Sequence, residues 1–259
     1  MSTAAIRIGD NGGMSEMRIL AIEHEAGAGP ERFGAWLTEA GATVDVLRPY
    51  RGEAIPGALD GTSAHHGYDA LLVLGGSAGP LEDDDNPWLP QVRDLLKRSA
   101  AGEFPSFNIC LGGELLAAAT SAELFRRERP QVGIYDLHTT SAGERDPVFA
   151  AIAGEERETI PAVLFHQEEM ELPEGAELLL TGSDAPVQGY RVGEFAWGTQ
   201  FHPESDAAQV ERWLSSDPLQ LPEGKTGESI TAEVAEADAE LIRINRALAH
   251  SFVDYLREL

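Results

Sequence analysis

The chain has 259 residues, 42% of them apolar, and 44 acidic against 19 basic side chains, for a formal charge of −25. That is enough apolar material for a packed core, while so negative a surface repels nucleic acid and anionic lipid and argues against both as partners. A single cysteine excludes an internal disulfide and a cysteine-rich zinc site, and a lone free thiol suits a reducing compartment.

Residues 1–16 are small and polar with no apolar signal core, and no run approaches the roughly 20 apolar residues of a membrane span. A loose leader, a single domain over 17–259 and a cytoplasmic location are therefore expected. Met17-Arg18-Ile19-Leu20-Ala21-Ile22 reads as the first strand. Gly27-Ala28-Gly29-Pro30 leads into a helix carrying Phe33, Trp36 and Leu37, with Pro30 suited to its first turn and Gly41 to its end. Thr43-Val44-Asp45-Val46-Leu47 is the next strand. A polar loop through His65 and His66 reaches Ala70-Leu71-Leu72-Val73-Leu74, whose lack of alternation predicts burial on both faces, as in a parallel sheet.

After Gly75-Gly76-Ser77-Ala78-Gly79 and the acidic run Glu82-Asp83-Asp84-Asp85, a helix is expected over 88–101, a strand over 105–109 and a helix over 111–119. This alternation predicts an α/β fold, a doubly wound and mostly parallel sheet with helices on both faces. The second half changes rhythm. Short strands are expected over 132–140, 162–166, 178–181, 187–192 and 195–201, separated by turns such as Pro173-Glu174-Gly175, and they read as an antiparallel extension. A helix over 207–214 precedes a long C-terminal helix from about 228 to 259. There Leu241, Ile244, Leu248, Phe252 and Leu256 form one apolar stripe that needs covering, by the domain itself or by a partner.

Chemistry enters at Phe107-Asn108-Ile109-Cys110-Leu111-Gly112-Gly113, between a strand and a helix. A cysteine at such a turn has the position of a nucleophile on an elbow, and a helix N-terminus favours a thiolate, so a lowered thiol pKa is expected. A small buried hydrophobe is the plainer role for an isolated cysteine. Far downstream, Gln200-Phe201-His202-Pro203-Glu204 supplies an imidazole and a carboxylate two residues apart, which share one side of an extended segment. Thiol, base and orienting acid are the parts of cysteine acyl transfer. Metal is not expected: adjacent histidines such as His65 and His66 point apart, and acidic loop runs are usually solvated.

The chain resembles the class I glutamine amidotransferases, in particular stand-alone proteins similar to the glutaminase domain of GMP synthase. The resemblance is carried by Leu72-Val73-Leu74-Gly75-Gly76, Asn86-Pro87-Trp88-Leu89, Ile109-Cys110-Leu111-Gly112 with Leu115-Leu116-Ala117, His166, Leu172-Pro173-Glu174-Gly175-Ala176, and Trp197-Gly198-Thr199-Gln200-Phe201-His202-Pro203-Glu204. It implies a flavodoxin-like sheet, a Cys110–His202–Glu204 triad and a γ-glutamyl thioester formed from glutamine. It also implies an oxyanion hole of the Gly76 and Leu111 N–H groups, worth about 3–4 kcal/mol per donor. Gly75, Asn108, Glu114 and His166 are then candidates for the substrate pocket. No cofactor is implied, and no Walker-type phosphate loop is present. Ammonia would be released or passed to a separate acceptor synthetase, and a homo-oligomer is compatible with the pattern.

Three positions depart from the family. Asn108 stands where glycine is usual, two residues before the nucleophile; asparagine tolerates unusual backbone angles, and its amide has the reach to enter the site. Glu114 replaces a glutamine that helps hold the amino-acid end of the substrate. As a carboxylate it would attract an ammonium and repel the α-carboxylate of glutamine, by about 4 kcal/mol at 4 Å for an effective dielectric near 20. Turned outward or screened, it would do neither. Gln167 and Glu168 replace a glycine and an aspartate beside His166. Glu114 brings in a second substrate class, γ-glutamyl conjugates; a catalytically silent binding protein on the same scaffold is a third reading, against which the intact Cys110, His202 and Glu204 argue.

Overall fold

The apolar runs of the first half form parallel strands buried on both faces. The computed structural model describes residues 17–59, 67–153, 158–216 and 219–259, so the leader expected at 1–16 and the His65-His66 pair lie outside the described residues. The strands are β1 (Met17–Ile22), β2 (Ala42–Leu47), β3 (Ala70–Val73), β4 (Ser106–Ile109), β5 (Leu124–Thr139), β6 (Ile160–Met170), β7 (Glu177–Thr181), β8 (Gly189–Val192) and β9 (Ala196–Thr199). They form one sheet in the order β2-β1-β3-β4-β9-β8-β7-β5-β6. Its first five strands are mutually parallel, and the remaining pairings are antiparallel.

The helices are α1 (Glu31–Glu39), α2 (Leu89–Ala100), α3 (Leu111–Ala119), α4 (Ala207–Ser216) and α5 (Gly227–Glu258). Alternation along each strand sorts them into two layers. Ile19, Ala21, Leu72 and Phe107 pack with α1 and α5, while Leu20, Ile22, Leu71 and Val73 pack with α2 and α3. The predicted stripe on α5 is buried against the molecule's own core: Phe252 stacks edge-on against Phe107 at 5.6 Å and Trp197 at 5.9 Å. A Thr226–Ser229 capping box starts this helix, a motif worth about 1 kcal/mol. Among the described residues no helix is long and apolar enough to cross a membrane.

Strand β5 begins at Leu124, upstream of the expected 132, and its polar Arg126-Arg127-Glu128-Arg129 stretch, exposed except at Arg127, forms an irregularity opposite β6. Polar side chains on a solvated edge leave no apolar period to read. Strand β9 ends at Thr199, so Gln200 and Phe201 lie beyond it.

The parallel arrangement decides where a site can form. Parallel strands end on one edge, and open α/β sheets bind ligands there. Beyond β1 come His24 and Glu25, beyond β3 Gly75 and Gly76, beyond β4 Cys110, and beyond β9 His202. Because β4 lies between β3 and β9, Cys110 is flanked by the glycine loop on one side and the His202 segment on the other.

Candidate active site

Cys110 is the turn between β4 and α3, with φ 49° and ψ −109°. A non-glycine residue held there costs of order 1–3 kcal/mol, so the surrounding contacts must over-determine it. Its N–H donates to Thr199 O at 2.8 Å and its carbonyl accepts from the Glu114 N–H at 2.9 Å. A Cβ on Gly112 would lie 2.3 Å from Val73 O, and one on Gly113 2.6 Å from Thr199 O. Only hydrogen fits at both positions, which lets the first turn of α3 rest on the ends of β3 and β9.

Asn108 does not take the part expected of it. It pairs within β4, with neighbours Val73 and Gly198, and the unusual backbone angles fall on Cys110 instead. Its amide nitrogen donates to Ser106 Oγ at 2.9 Å and Trp197 O at 2.7 Å inside the sheet, and the side chain is fully buried outside the cleft lining.

His202 and Glu204 do meet, but on a turn rather than an extended segment. His202 N–H donates to Val163 O at 2.9 Å, which anchors the turn to β6. The imidazole Nδ1 lies 2.7 Å from Glu204 Oε1, and both side chains are buried. With Nδ1–H donating to the carboxylate, Nε2 is the free acceptor nitrogen, and it has no hydrogen-bond partner. The Trp213 ring packs on the imidazole at 4.6 Å. A Cβ on Gly75 would lie 3.1 Å from His202 Cε1 and 3.6 Å from Cys110 Cβ, so ring and thiol stem flank the same glycine.

Gly76 is wedged between His24 and Leu111, each 3.1 Å from where its Cβ would stand. The Leu111 N–H interacts with the Cys110 sulfur and favours its thiolate. Gly76 and Leu111 therefore lie on adjoining backbone segments. One cleft of about 310 Å³ includes Gly75, Gly76, Cys110, His202 and Glu204. Glu25, Ser77, Phe165 and Trp213 also line it.

Burial raises the Cys110 thiol pKa well above its usual range, Glu114 and Glu204 push it further, and the Leu111 N–H only partly opposes them. The expected lowering is therefore overturned: one N–H at a helix start does not offset desolvation next to carboxyl groups. Glu114 is neither outward nor screened by a base. It is 2% exposed, accepts from Gln200 Nε2 at 2.8 Å, and is raised to about 8 by burial. At neutral pH it is mostly a neutral acid, close in shape and polarity to the amide it replaces. Gln200 Nε2 also lies 3.8 Å from Cys110 Sγ, which gives this residue a place the sequence reading left empty.

His166 is buried, with Nδ1 2.6 Å from Glu168 O and Nε2 3.0 Å from the Gln131 amide; burial lowers it to about 3. The Gln131 atom is Oε1, so both ring nitrogens face acceptor oxygens and a neutral ring donates to one of them; His166 lies outside the cleft lining and fits a structural role. Gln167 and Glu168 turn to Arg126, at 2.8 and 2.5 Å. Asp83 of the acidic run pairs with Arg93 at 2.6 Å. Besides Gln200, the sequence reading assigned no role to Glu25, Ser77 or Trp213, which carry no local signal and reach the cleft only through packing.

The fold and this strand-end arrangement are those of a known group. A sequence model of the class-I glutamine amidotransferases matches residues 36–215, and the chain belongs to that family. Among its relatives is YfeJ of Salmonella typhimurium, named as a glutamine amidotransferase-like protein, at 25% identity over 86% of this chain and 90% of the other. Another is gamma-glutamyl peptidase 4 of Arabidopsis thaliana, at 29% identity over 53% of this chain and 54% of the other. The crystal structure of a glutamine amidotransferase from Thermotoga maritima superposes with a TM-score of 0.77 at 23% identity, over 93% of this chain and all of that one. A second, from Methylobacillus flagellatus, gives 0.76 at 21% identity, over 95% and 96% of the two chains. At those identities the likeness is one of fold.

Proposed function

We propose that the protein is a cysteine amide hydrolase that cleaves the side-chain amide of glutamine or of a γ-glutamyl compound through a thioester on Cys110. The reading rests on one observation above all. Strand ends far apart in sequence bring Cys110 and the Glu204-held imidazole of His202 to one glycine in one cleft, with Nε2 unpartnered.

Because the free protein holds sulfur as the thiol, attack and proton transfer are coupled. As Cys110 Sγ bonds to the amide carbon, its proton passes to His202 Nε2, and Glu204 holds the imidazolium through Nδ1–H. The carbonyl oxygen becomes an oxyanion between the Gly76 and Leu111 N–H groups. Collapse breaks the C–N bond, and Nε2 returns the proton to the departing amine. Water, deprotonated by the same nitrogen, then splits the thioester to free glutamate and thiol. Ammonia, when that is the leaving group, is released or taken up by a separate synthetase.

Two substrate readings remain within this chemistry. Glu114 lies behind the sulfur and outside the cleft lining, and below about pH 8 it is mostly neutral, so it sets no charge against the α-carboxylate of glutamine, which supports glutamine as substrate. The cleft's room of about 310 Å³, lined also by Glu25, Phe165 and Trp213, and the relationship to a gamma-glutamyl peptidase support larger leaving groups. Steady-state release of glutamate from glutamine and from γ-glutamyl amides, for wild type and Cys110→Ala, tests the proposal; release undiminished in the variant removes the nucleophile. A glutamine-like diazo-ketone, followed by intact mass, separates an enzyme from a silent scaffold. One covalent adduct on Cys110 is expected, and no adduct favours the binding protein.

A further inference from the structure

The charged side chains that line the cleft are Glu25 and Glu204, with no lysine or arginine among them. Glu204 is committed to His202. Glu25 is not committed to any base: its two oxygens accept from the Ser77 N–H at 3.2 Å and the Ser77 hydroxyl at 2.5 Å, and no basic side chain pairs with it among the described residues. Glu23, two residues earlier on the same segment, shows the contrast, with Arg48 at 3.2 Å and Tyr50 at 2.6 Å. Ser77 follows Gly76, so these hydrogen bonds fix the Glu25 carboxylate to the loop that carries a proposed oxyanion donor. Phe165 and Trp213, whose rings lie 5.4 Å apart, add an aromatic surface to the same cleft. An oriented carboxylate without a counter-charge, beside aromatic faces, is a site for an alkylammonium group.

We infer that the cleft selects γ-glutamyl amides whose leaving amine bears a second, ammonium group, with Glu25 as its partner and the alkyl spacer along Phe165 and Trp213. This deepens the hydrolysis proposed above and rests on it for turnover: a γ-glutamyl diamine and water would yield glutamate and the free diamine. Recognition itself does not require turnover, so the two are tested apart.

The ligands are γ-glutamyl-diaminobutane and γ-glutamyl-butylamide, which share the glutamyl end and the spacer and differ in the distal ammonium. They are titrated calorimetrically into the full chain carrying Cys110→Ala, which cannot form the thioester. The diamine ligand should bind about tenfold more tightly, as for a partly shielded charge-assisted pair, and less so at high salt. Adding Glu25→Gln should erase that difference. Adding Glu25→Lys should reverse it, favouring γ-glutamyl-aminobutyrate with its terminal carboxylate, a readout that a merely structural Glu25 would not move. Equal affinity for the first two ligands, failure of either to bind, or equal weakening of both by Glu25→Gln would overturn the inference; the last would assign Glu25 to the shared α-ammonium. Glutamate release by wild type tests the hydrolysis reading alone: preferential binding with no release would sink that reading and leave the recognition standing.

Discussion

The two sides of Cys110 are built on opposite terms. Behind it, Glu114 and Gln200 face each other in a dry interior, at 2.8 Å, and burial keeps the acid protonated. In front, the cleft lining holds groups that the described residues do not complete: the buried His202 Nε2 and second oxygen of Glu204 have no hydrogen-bond partner, and Glu25 has no basic partner among the described residues. The same residue type, glutamate, thus has two uses. Where packing excludes water and supplies an amide, it behaves as a neutral hydrogen-bonding group. Where it lines the cleft, it holds an imidazole, as Glu204 does, or faces the space a ligand would fill, as Glu25 does. Residue identity does not distinguish these cases; environment does.

If the division holds, changes in front should cost rate, and changes behind should cost or gain stability. The largest effect is expected from Cys110→Ala, which should lower kcat/KM by at least about 10⁴-fold in the glutamate assay, with His202→Ala similar and the double variant no worse. Strictly additive losses would show that the two do not act as a unit. Glu204→Gln should lower kcat by about 10³-fold with little change in KM, because the imidazole loses its orienting acid. An unchanged kcat would remove Glu204 from the mechanism.

Behind the sulfur, Glu114→Gln is the sharper probe. The folded acid holds its proton to about 8, against an ordinary value of 4.5. Between those values the unfolded chain has lost the proton and the folded chain has kept it. Stability therefore falls as pH rises through that window and levels off above it. The variant should gain roughly 4 kcal/mol over wild type at pH 8 and little near pH 4.5, read by urea denaturation at both. Above pH 8, where ionised Glu114 pushes the thiol higher still, it should also be alkylated faster at Cys110 by iodoacetamide. A stability difference that ignores pH would place Glu114 in a wetter site than described. The smallest effect belongs to the elbow: Gly112→Ala sets a methyl 2.3 Å from Val73 O and should destabilise by roughly 2 kcal/mol.

Local pattern made much of this protein legible. Continuous apolar runs such as Ala70-Leu71-Leu72-Val73 announce strands covered on both faces, and the α5 stripe announces a buried helix face, because periodicity records burial directly. The run Ile109-Cys110-Leu111-Gly112-Gly113 reads as an elbow since small residues and a reactive one meet between two elements. The start of β5 was not legible: its arginine-rich edge is held by pairing to β6, a partner about 40 residues away, as in Arg126 to Glu168 with a separation of 42.

Sequence by itself determined the order of elements, the family resemblance and which residues could carry cysteine chemistry. Only the tertiary structure decided their states. Gln200 reaches Glu114 across 86 residues, and burial turns that acid neutral; the same burial raises the thiol that a helix start alone would lower. It is also the fold that leaves Glu25 without a basic partner among the described residues while pairing Glu23 with Arg48. The physical reason is common to all three: charge state follows desolvation and long-range neighbours, and neither is written in the local spacing of the chain.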